Sequence, residues 1–490
     1  MSLTEIKPEE KEISCGAVAA ELPAIDTVLP EPPKPSATVE NAVKSWLSTR
    51  RISSLLFRTL FAVLLGSLIM RVASHTMGQM VQFYLADIDR NYYNISYTAR
   101  GFITASFFIT ELLGSLVLGA LSDRYGRKPF IFLGPLLGAI AVQITSMTVA
   151  IWLLVITRLL EGLSTASSIP ATLGYISEAT SGRPKLRARI VGLFEITLFG
   201  GMAVGAVLSG TLFELFGRAD EFLGLHLTSP AFSINGLIYL ISLAVFVWGL
   251  RGFKENTKKA DASATTHREL KRYRAILRSP NVWKFVPAWL AINSIIGLWI
   301  NHSLGLMTGK DHFAGQLLAG NIGTDKVGYG SAILLLLFAI GVLAWSFILG
   351  RYRRTSIMMI ATGGLFVTLV TVYALNHLDS FADPLCYPLI GVLLIALLVL
   401  SGFTPASLTY LADVTESQTS NRGSIMGLYT VFLGVGQLIG TMLGGKFATW
   451  AGIDGLLALS AIFGVVMAWT LMLLRRQETP ASANGAPGIV

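Results

Sequence analysis

Long apolar runs, each interrupted by a short polar or glycine-rich interval, occupy the chain from about residue 56 to residue 474. A helix of about 20 apolar residues crosses a bilayer, and the pattern predicts twelve such spans. They fall at 56–83, 97–121, 130–149, 151–177, 190–215, 232–250, 285–307, 327–349, 357–375, 387–410, 425–446 and 453–474. The expected fold is therefore an all-α integral membrane protein with twelve transmembrane helices in two six-helix bundles. Residues 1–50 break the pattern with Pro8-Glu9-Glu10-Lys11-Glu12 and Pro30-Glu31-Pro32-Pro33-Lys34-Pro35, and are expected to form a disordered tail. They contain no apolar run of the kind a cleavable signal carries, so the first span is expected to serve as the membrane signal. The longest interior polar stretch, 251–284, divides a bundle at 51–250 from a second at 285–475, and 476–490 form a short tail.

Composition agrees with a lipid solvent. Of 490 residues 53% are hydrophobic and 14% charged, whereas soluble domains carry about 25% charged residues. That excludes a soluble enzyme, a disordered chain and a disulfide scaffold; Cys15 and Cys386 form no framework. The net charge of +9 is better explained by the loops of a membrane protein than by nucleic acid. With both termini inside, 27 Lys and Arg fall on inner loops and flanks and six outside: Arg90, Arg100, Arg218, Lys310, Lys326 and Lys446. Positive charge collects on the cytoplasmic side, so both termini are expected to be cytoplasmic, in a multi-pass protein of the cell membrane. The 251–284 connector, with Lys258, Lys259, Arg268, Lys271, Arg272 and Arg274, is expected to lie against anionic lipid.

The chain repeats itself. A shift of 235 residues aligns Pro170-Ala171-Thr172-Leu173-Gly174-Tyr175 with Pro405-Ala406-Ser407-Leu408-Thr409-Tyr410, and Arg187 with Arg422. Gly201, Gly205 and Gly210 meet Gly436, Gly440 and Gly445. Spans four and five thus recur as spans ten and eleven, a parallel duplication that suits a transporter with its site between the halves. Glycines four apart let helices approach closely, so packing is the first role expected of them.

After the second span the chain reads Gly119-Ala120-Leu121-Ser122-Asp123-Arg124-Tyr125-Gly126-Arg127-Lys128-Pro129. This resembles the cytoplasmic loop motif of the major facilitator superfamily, G-x-L-x-D-R-x-G-R-[KR], at every fixed position. The resemblance covers about 50–475 and implies a transporter that alternates between outward- and inward-facing states. It also implies that Gly119, Asp123, Arg124, Gly126, Arg127, Lys128 and Glu178 form a gating latch. Asp123 is expected near a helix N-terminus and Arg127 near the acid at the end of span four, Glu178. The second-half counterpart, Gly350-Arg351-Tyr352-Arg353-Arg354, lacks the aspartate. The branch stays open: Arg158, Gly162 and the Gly201-x-x-x-Gly205 run are similar to drug/proton antiporters but without the usual Pro. Gly162, Tyr175, Glu178 and Lys185 are similar to sugar porters, with Ala166 where that signature has Gly.

An ionisable group at bilayer depth costs a few kcal/mol or more, so each one marks a candidate functional position. Span one carries Arg71, His75 and Gln79 on one stripe, with Ser67 a turn earlier; Glu111 lies in span two, Arg158 and Glu161 in span four, and Glu195 in span five. Span seven adds Asn293, Asn301 and His302. The resemblance implies that spans one, four, seven and ten line a central cavity, so these residues are the expected substrate and proton pathway. Glu111 and Glu195 are the expected proton carriers. The alternatives are structural: an ion pair between Arg158 and Glu161, or a protonated glutamate bonded between helices. No catalytic constellation is found: no Gly-x-Ser-x-Gly, no His-Glu-x-x-His, no Cys-x-x-Cys, and Gly440-x-x-x-x-Gly445-Lys446 lacks the Ser or Thr of a phosphate loop. No metal, cofactor or nucleic-acid partner is expected, and no enzyme activity. The expected function is secondary transport of a small solute by a monomer coupled to protons, either drug or amphiphile export by antiport or sugar or organic-acid symport. A non-transporting receptor on the same fold is the remaining alternative.

Overall fold

The computed structural model describes residues 37–92, 94–180, 183–218, 221–222, 225–251, 280–349, 351–414 and 422–477. The tail before residue 37, most of the connector and the residues after 477 lie outside the described residues. Two compact units divide the chain, Met1–Ser54 and Leu55–Val490. The first is described only as helix from residue 37; every element from Leu55 onward belongs to the second.

The chain is helical almost throughout: α1 (Ala37–Asn91), α2 (Tyr97–Tyr125), α3 (Arg127–Thr145), α4 (Ile151–Ala179), α5 (Pro184–Phe216) and α6 (Pro230–Leu250), then α7 (Pro280–Thr308), α8 (Thr324–Ile348), α9 (Arg354–Asn376), α10 (Cys386–Leu400), α11 (Phe403–Val414) and α12 (Arg422–Gln477). The all-α expectation needs one addition, a two-residue antiparallel hairpin between α5 and α6, β1 (Glu221–Phe222) with β2 (Leu225–His226). Each expected span coincides with helix. Among the described residues nine helices are long and apolar enough to cross a membrane, or ten when the bent pair Tyr97–Ser115 and Val117–Tyr125 counts as one. The difference from twelve has two physical causes. Helix α4 is too polar for that test, because Arg158, Glu161 and a run of Ser and Thr dilute its apolar residues. The segment Val431–Arg476 counts once although its direction breaks at Ala451 and Gly452.

That break is locally specified. Gly452 has φ +58°, where a side chain is strained, and a Cβ there would meet the Phe313 ring at 2.7 Å. Gln316 satisfies both interrupted strands of the helix: its Nε2 donates to Ala451 O at 2.8 Å, and Ile453 N donates to its Oε1 at 3.0 Å. At the start of α2, Ser96 Oγ accepts from Ala99 N and caps the helix.

Two apolar cores follow the two halves of the chain. The first gathers Met77, Phe83, Tyr84, Phe232, Tyr239 and Phe246 with Leu304 and Val327 from the second half. The other is built from α7 to α12 with Tyr97 from the first. Outward-facing Phe347 is 85% exposed and Trp469 66%, and only 11% of the apolar window of α8 is buried. Surfaces so apolar aggregate in water and suit lipid.

The repeated glycines do the same work in each half. A Cβ at Gly201 would lie 2.6 Å from Arg71 Cβ, and one at Gly205 would lie 2.8 Å from Val72 O, so α5 presses on α1. Gly436 would meet Asn293 Cβ at 2.6 Å, and Gly440 would run into Ser294, so α12 presses on α7. The third member of each set faces the other half: Gly210 meets Thr324 O at 2.5 Å on α8, and Gly445 meets Tyr97 O at 2.6 Å on α2. Replacing Gly205 by Val should lower the thermal unfolding temperature of the purified protein, at a cost of about 1–3 kcal/mol from overpacking. Gly192→Ala, at a position with open space around it, should leave that temperature unchanged or slightly raised.

Candidate functional site

The polar stripe of α1 divides into two parts. Ser67 and Arg71 line a narrow cavity between α1, α4 and α5, together with Ser74, Thr165, Ser168 and Thr172. His75 and Gln79 turn toward α5 instead. Gln79 Nε2 and His75 Nε2 lie 3.0 Å apart, and Ser209 Oγ on α5 donates to Gln79 Oε1 at 2.8 Å. Gly205 permits this by leaving room for His75.

The cavity wall on α4 follows helical spacing. Thr165, Ser168 and Thr172 are separated by three and four residues and share a face. The hydroxyls of Ser164 and Ser167 are engaged elsewhere, on Gly134 O at 2.6 Å and Ser164 O at 2.9 Å.

Behind this wall sits a cluster of four ionisable groups. Arg158 Nη1 donates to Glu161 Oε2, and both side chains are buried. The Arg158 guanidinium also lies 5.0 Å from the centre of the Phe107 ring on α2. Gly162 brings α4 against the α2 backbone beside Glu111, its missing Cβ 3.0 Å from Glu111 N, and Thr110 Oγ1 donates to Leu159 O at 2.8 Å. Glu111 is therefore within electrostatic reach of both Arg71 and Arg158. Two arginines face two glutamates, of which Glu161 is buried and Glu111 half-buried. The Glu195 side chain lies outside the described residues.

In the second half the polar residues join helices. Asn301 Nδ2 donates to Gly297 O at 2.8 Å and Thr441 Oγ1 at 3.0 Å, and His302 Nε2 is 2.7 Å from Thr441 O. Asn293 Nδ2 donates to Trp289 O within its own helix. All three belong to the contact of α7 with α12, away from the cavity residues.

At the end of α2 the loop motif closes on itself. Gly126, at φ +95°, separates α2 from α3. Arg127 Nη2 pairs with Asp123 Oδ1 at 2.9 Å, and its Nε lies 3.5 Å from Glu178 Oε2 on α4. Gly174 of α4 leaves space that the Arg127 guanidinium fills. Gly119 sits against Pro170, and Arg124 lies over the Tyr125 ring. Among the described residues Asp123 pairs with Arg127, and Lys128 is half-buried beside them.

Residues 52–382 and 313–489 match the family model described as Major Facilitator Superfamily. The chain belongs to the major facilitator superfamily, a family of membrane transporters. Multidrug resistance protein 1 of Bacillus subtilis is 23% identical over 369 residues, 72% of this chain and 82% of its own length. An arabinose-proton symporter of the same organism is 28% identical over 112 residues, 23% of this chain and 24% of that protein. Among solved structures, a bacterial homolog of the human lysosomal transporter Spinster, crystallised inward-facing and unoccupied, superimposes with a TM-score of 0.65 at 15% identity, covering 87% of this chain and 99% of that one. The relatives span both branches, and the branch is left open.

One cluster escaped the reading of the sequence. Arg90, Arg100, Arg218 and Lys310 look there like ordinary outer-loop cations, but the structure pairs Arg100, Arg218 and Lys310 with carboxylates at the end of α1. Asp89 is buried. Its Oδ2 lies 2.8 Å from Arg100 Nη2 and 3.2 Å from Lys310 Nζ, and its Oδ1 accepts from Ile95 N at 2.7 Å. Arg100 also donates from Nε to Ile95 O and packs over Tyr97. Arg218 pairs with Asp87 at 2.8 Å, and Arg90 donates to Thr308 O. Lys310 and Thr308 belong to the second half of the chain, so this cluster joins the halves at the end expected to face outward. Thr324 Oγ1 donating to Glu214 Oε2 at 2.5 Å adds to the same seam. The one signal available in the sequence was the Asp87-x-Asp89-Arg90 run at the tail of an apolar helix. Asp89→Ala should destabilise the purified protein by about 3–5 kcal/mol, because it leaves Arg100 buried without its counter-charge. Arg218→Met, removing a half-exposed partner, should cost about 1 kcal/mol or less; thermal unfolding of the two variants side by side checks the contrast.

Proposed function

We propose that this protein is a secondary transporter that moves a small solute across the cell membrane by alternating access, coupled to protons, and that it acts as a monomer with both termini cytoplasmic. The observation that carries the reading is Glu111, an acid at membrane depth within reach of two arginines. A carboxylate so placed can hold or release a proton only with a change in the charge balance of its neighbours. That is the property coupling requires. The bundles at 51–250 and 285–475, with the connector at 251–284 between them, are the moving parts in this reading, and no enzymatic step is involved. The latch of Asp123, Arg127 and Glu178 favours one state at the cytoplasmic side, and the Asp89, Arg100 and Lys310 cluster holds the opposite side shut. The names of relatives support both multidrug antiport and sugar-proton symport as modes.

Reconstitution into liposomes tests this. Glu111→Gln should abolish uphill flux driven by a proton gradient while retaining solute exchange at equal concentration, since exchange needs no net proton movement. Loss of both, or of neither, counts against Glu111 as the carrier, and flux indifferent to the gradient across a broad solute panel removes the coupling. The sign of the external pH change on adding solute separates symport, which alkalinises, from antiport, which acidifies. Asp123→Asn should slow cycling by about tenfold with unchanged expression, the loss of one charge-assisted pair in one state; unchanged transport rates would remove the latch.

A further inference from the structure

The cavity between α1, α4 and α5 has room for about one water molecule. Its polar wall carries the hydroxyls of Ser67 and Ser74 from α1 and of Thr165, Ser168 and Thr172 from α4. Inside a helix a Ser or Thr hydroxyl can turn back onto a backbone carbonyl. Thr157 and Ser167 of α4 do so, and Ser164 reaches Gly134 O. Thr172 does not. It is 1% exposed, and its Oγ1 has no hydrogen-bond partner among the described residues. A hydroxyl taken out of water and left unpaired is unfavourable, and a polar group in the cavity relieves it.

Size and charge identify that group. The space excludes an organic solute, and a bare cation would sit beside the Arg71 guanidinium with neutral oxygens alone to hold it. Water fits. A buried water is held by about three polar partners, and the hydroxyls of the wall supply them without drawing on Arg71. The same wall leads to the buried charges. Tyr239 of α6 is fully buried, faces Ser74 and lies within electrostatic reach of Glu161, Arg158 and Arg71. Glu161 is in turn within reach of Glu111. The Tyr239 ring is seated against α3 at Gly138, where a Cβ would come within 2.4 Å of it. Met70 and Phe194 complete the cavity, each 5% exposed.

We infer that the cavity is a binding site for one water molecule, which bonds Thr172 and Ser168 on α4 and Ser74 on α1 and joins Thr172 to Tyr239 in a proton-relaying chain of hydroxyls. A proton that reaches Tyr239 from the buried acids is passed on as each oxygen in the chain accepts one hydrogen and gives up its own. The chain ends unchanged, and no net charge stays on it. It leads from the buried pair toward the end of α4 that carries Glu178. The relay role rests on the proton-coupled reading, whereas the water does not.

Radiolytic hydroxyl labelling of the full chain in nanodiscs tests the water, because X-rays split water where it is bound and the radical attacks the nearest Met or aromatic side chain. Met70 and Phe194 should be oxidised several-fold faster than Met77 and Phe232, which are 0% exposed in the apolar core. Thr172→Val replaces the hydroxyl by a methyl of nearly the same shape. With the water in place it should slow the labelling of Met70 and Phe194 and lower the thermal unfolding temperature. On a dry wall it would raise that temperature by removing an unpaired hydroxyl. Thr172→Ser should keep the labelling. Tyr239→Phe removes a link of the relay and no ligand of the water. It should slow flux driven by a proton gradient about tenfold or more relative to solute exchange, with the labelling as in wild type. The inference is overturned if Met70 and Phe194 of the folded protein label no faster than Met77 and Phe232. It is overturned as well if Thr172→Val raises the unfolding temperature with labelling unchanged, or if Tyr239→Phe and Thr172→Val both sustain uphill flux at wild-type rates. Wild-type flux indifferent to the gradient removes coupling and with it the relay, and the labelling then decides the water by itself.

Discussion

Charge inside a bilayer has no water to turn to, and the packing of α2 against α1 and α4 answers that constraint. An isolated ion at this depth costs several kcal/mol after relaxation, so each must be met by protein. Arg158 is met by Glu161 on its own helix and by the Phe107 ring on the next. Asp89 is met by Arg100, by Lys310 and by a backbone N–H. Gly162 on α4 omits a side chain where its backbone meets α2 beside Phe107 and Glu111, which brings α2 close to the Arg158–Glu161 pair.

The same economy explains the seam between the halves. Gly210 and Gly445, equivalent under the repeat, each meet the first turn of a helix from the opposite half. Contacts of this kind hold backbones together through van der Waals packing, which is weak per atom and reversible in sum. The directional bonds across the seam, Lys310 on Asp89, Arg90 on Thr308 O and Thr324 on Glu214, lie at the same end. The seam thus combines flat glycine contacts with a few polar clasps, and Leu304 and Val327 of the second half enter the core around Tyr239 while Tyr97 of the first enters the core around Trp289.

The spans were legible in the sequence because lipid imposes a long, uniform apolar pattern that needs no knowledge of neighbours. The loop motif was legible because its residues lie within eleven positions and act locally, and the Arg158–Glu161 pair because a spacing of three fixes a helix face. What could not be read depends on distance along the chain. Asp89 and Lys310 are 221 residues apart, and a lysine counted by topology alone is an outer-loop cation like any other. The stripe on α1 shows the complementary limit: its spacing places Arg71, His75 and Gln79 on one face, but a face does not say which neighbour it meets. Only the position of Gly205 and Ser209 on α5 diverts His75 and Gln79 from the cavity while Arg71 stays in it. The span at 151–177 is a helix as read, although its mean hydropathy is diluted by the residues that line the cavity and by Arg158 and Glu161.

Helix α4 therefore carries three tasks that physics sets against one another. It must cross lipid, which asks for apolar residues; it must bury Arg158 and Glu161, which asks for tight packing; and it must present hydroxyls to a cavity, which asks for an open face. Helical geometry separates these tasks by angle. Thr165, Ser168 and Thr172 take the cavity face, Ser164 and Ser167 spend their hydroxyls on backbone carbonyls, and Gly162 takes the face toward α2. Its far end then meets Arg127 through Glu178 and Gly174. One helix thereby connects the buried charges to the loop motif, about five turns away at 5.4 Å per turn. Pro170 lies in that interval, so the path from the buried charges to the contact of Glu178 with Arg127 passes through a turn of α4 that lacks a full set of helical hydrogen bonds.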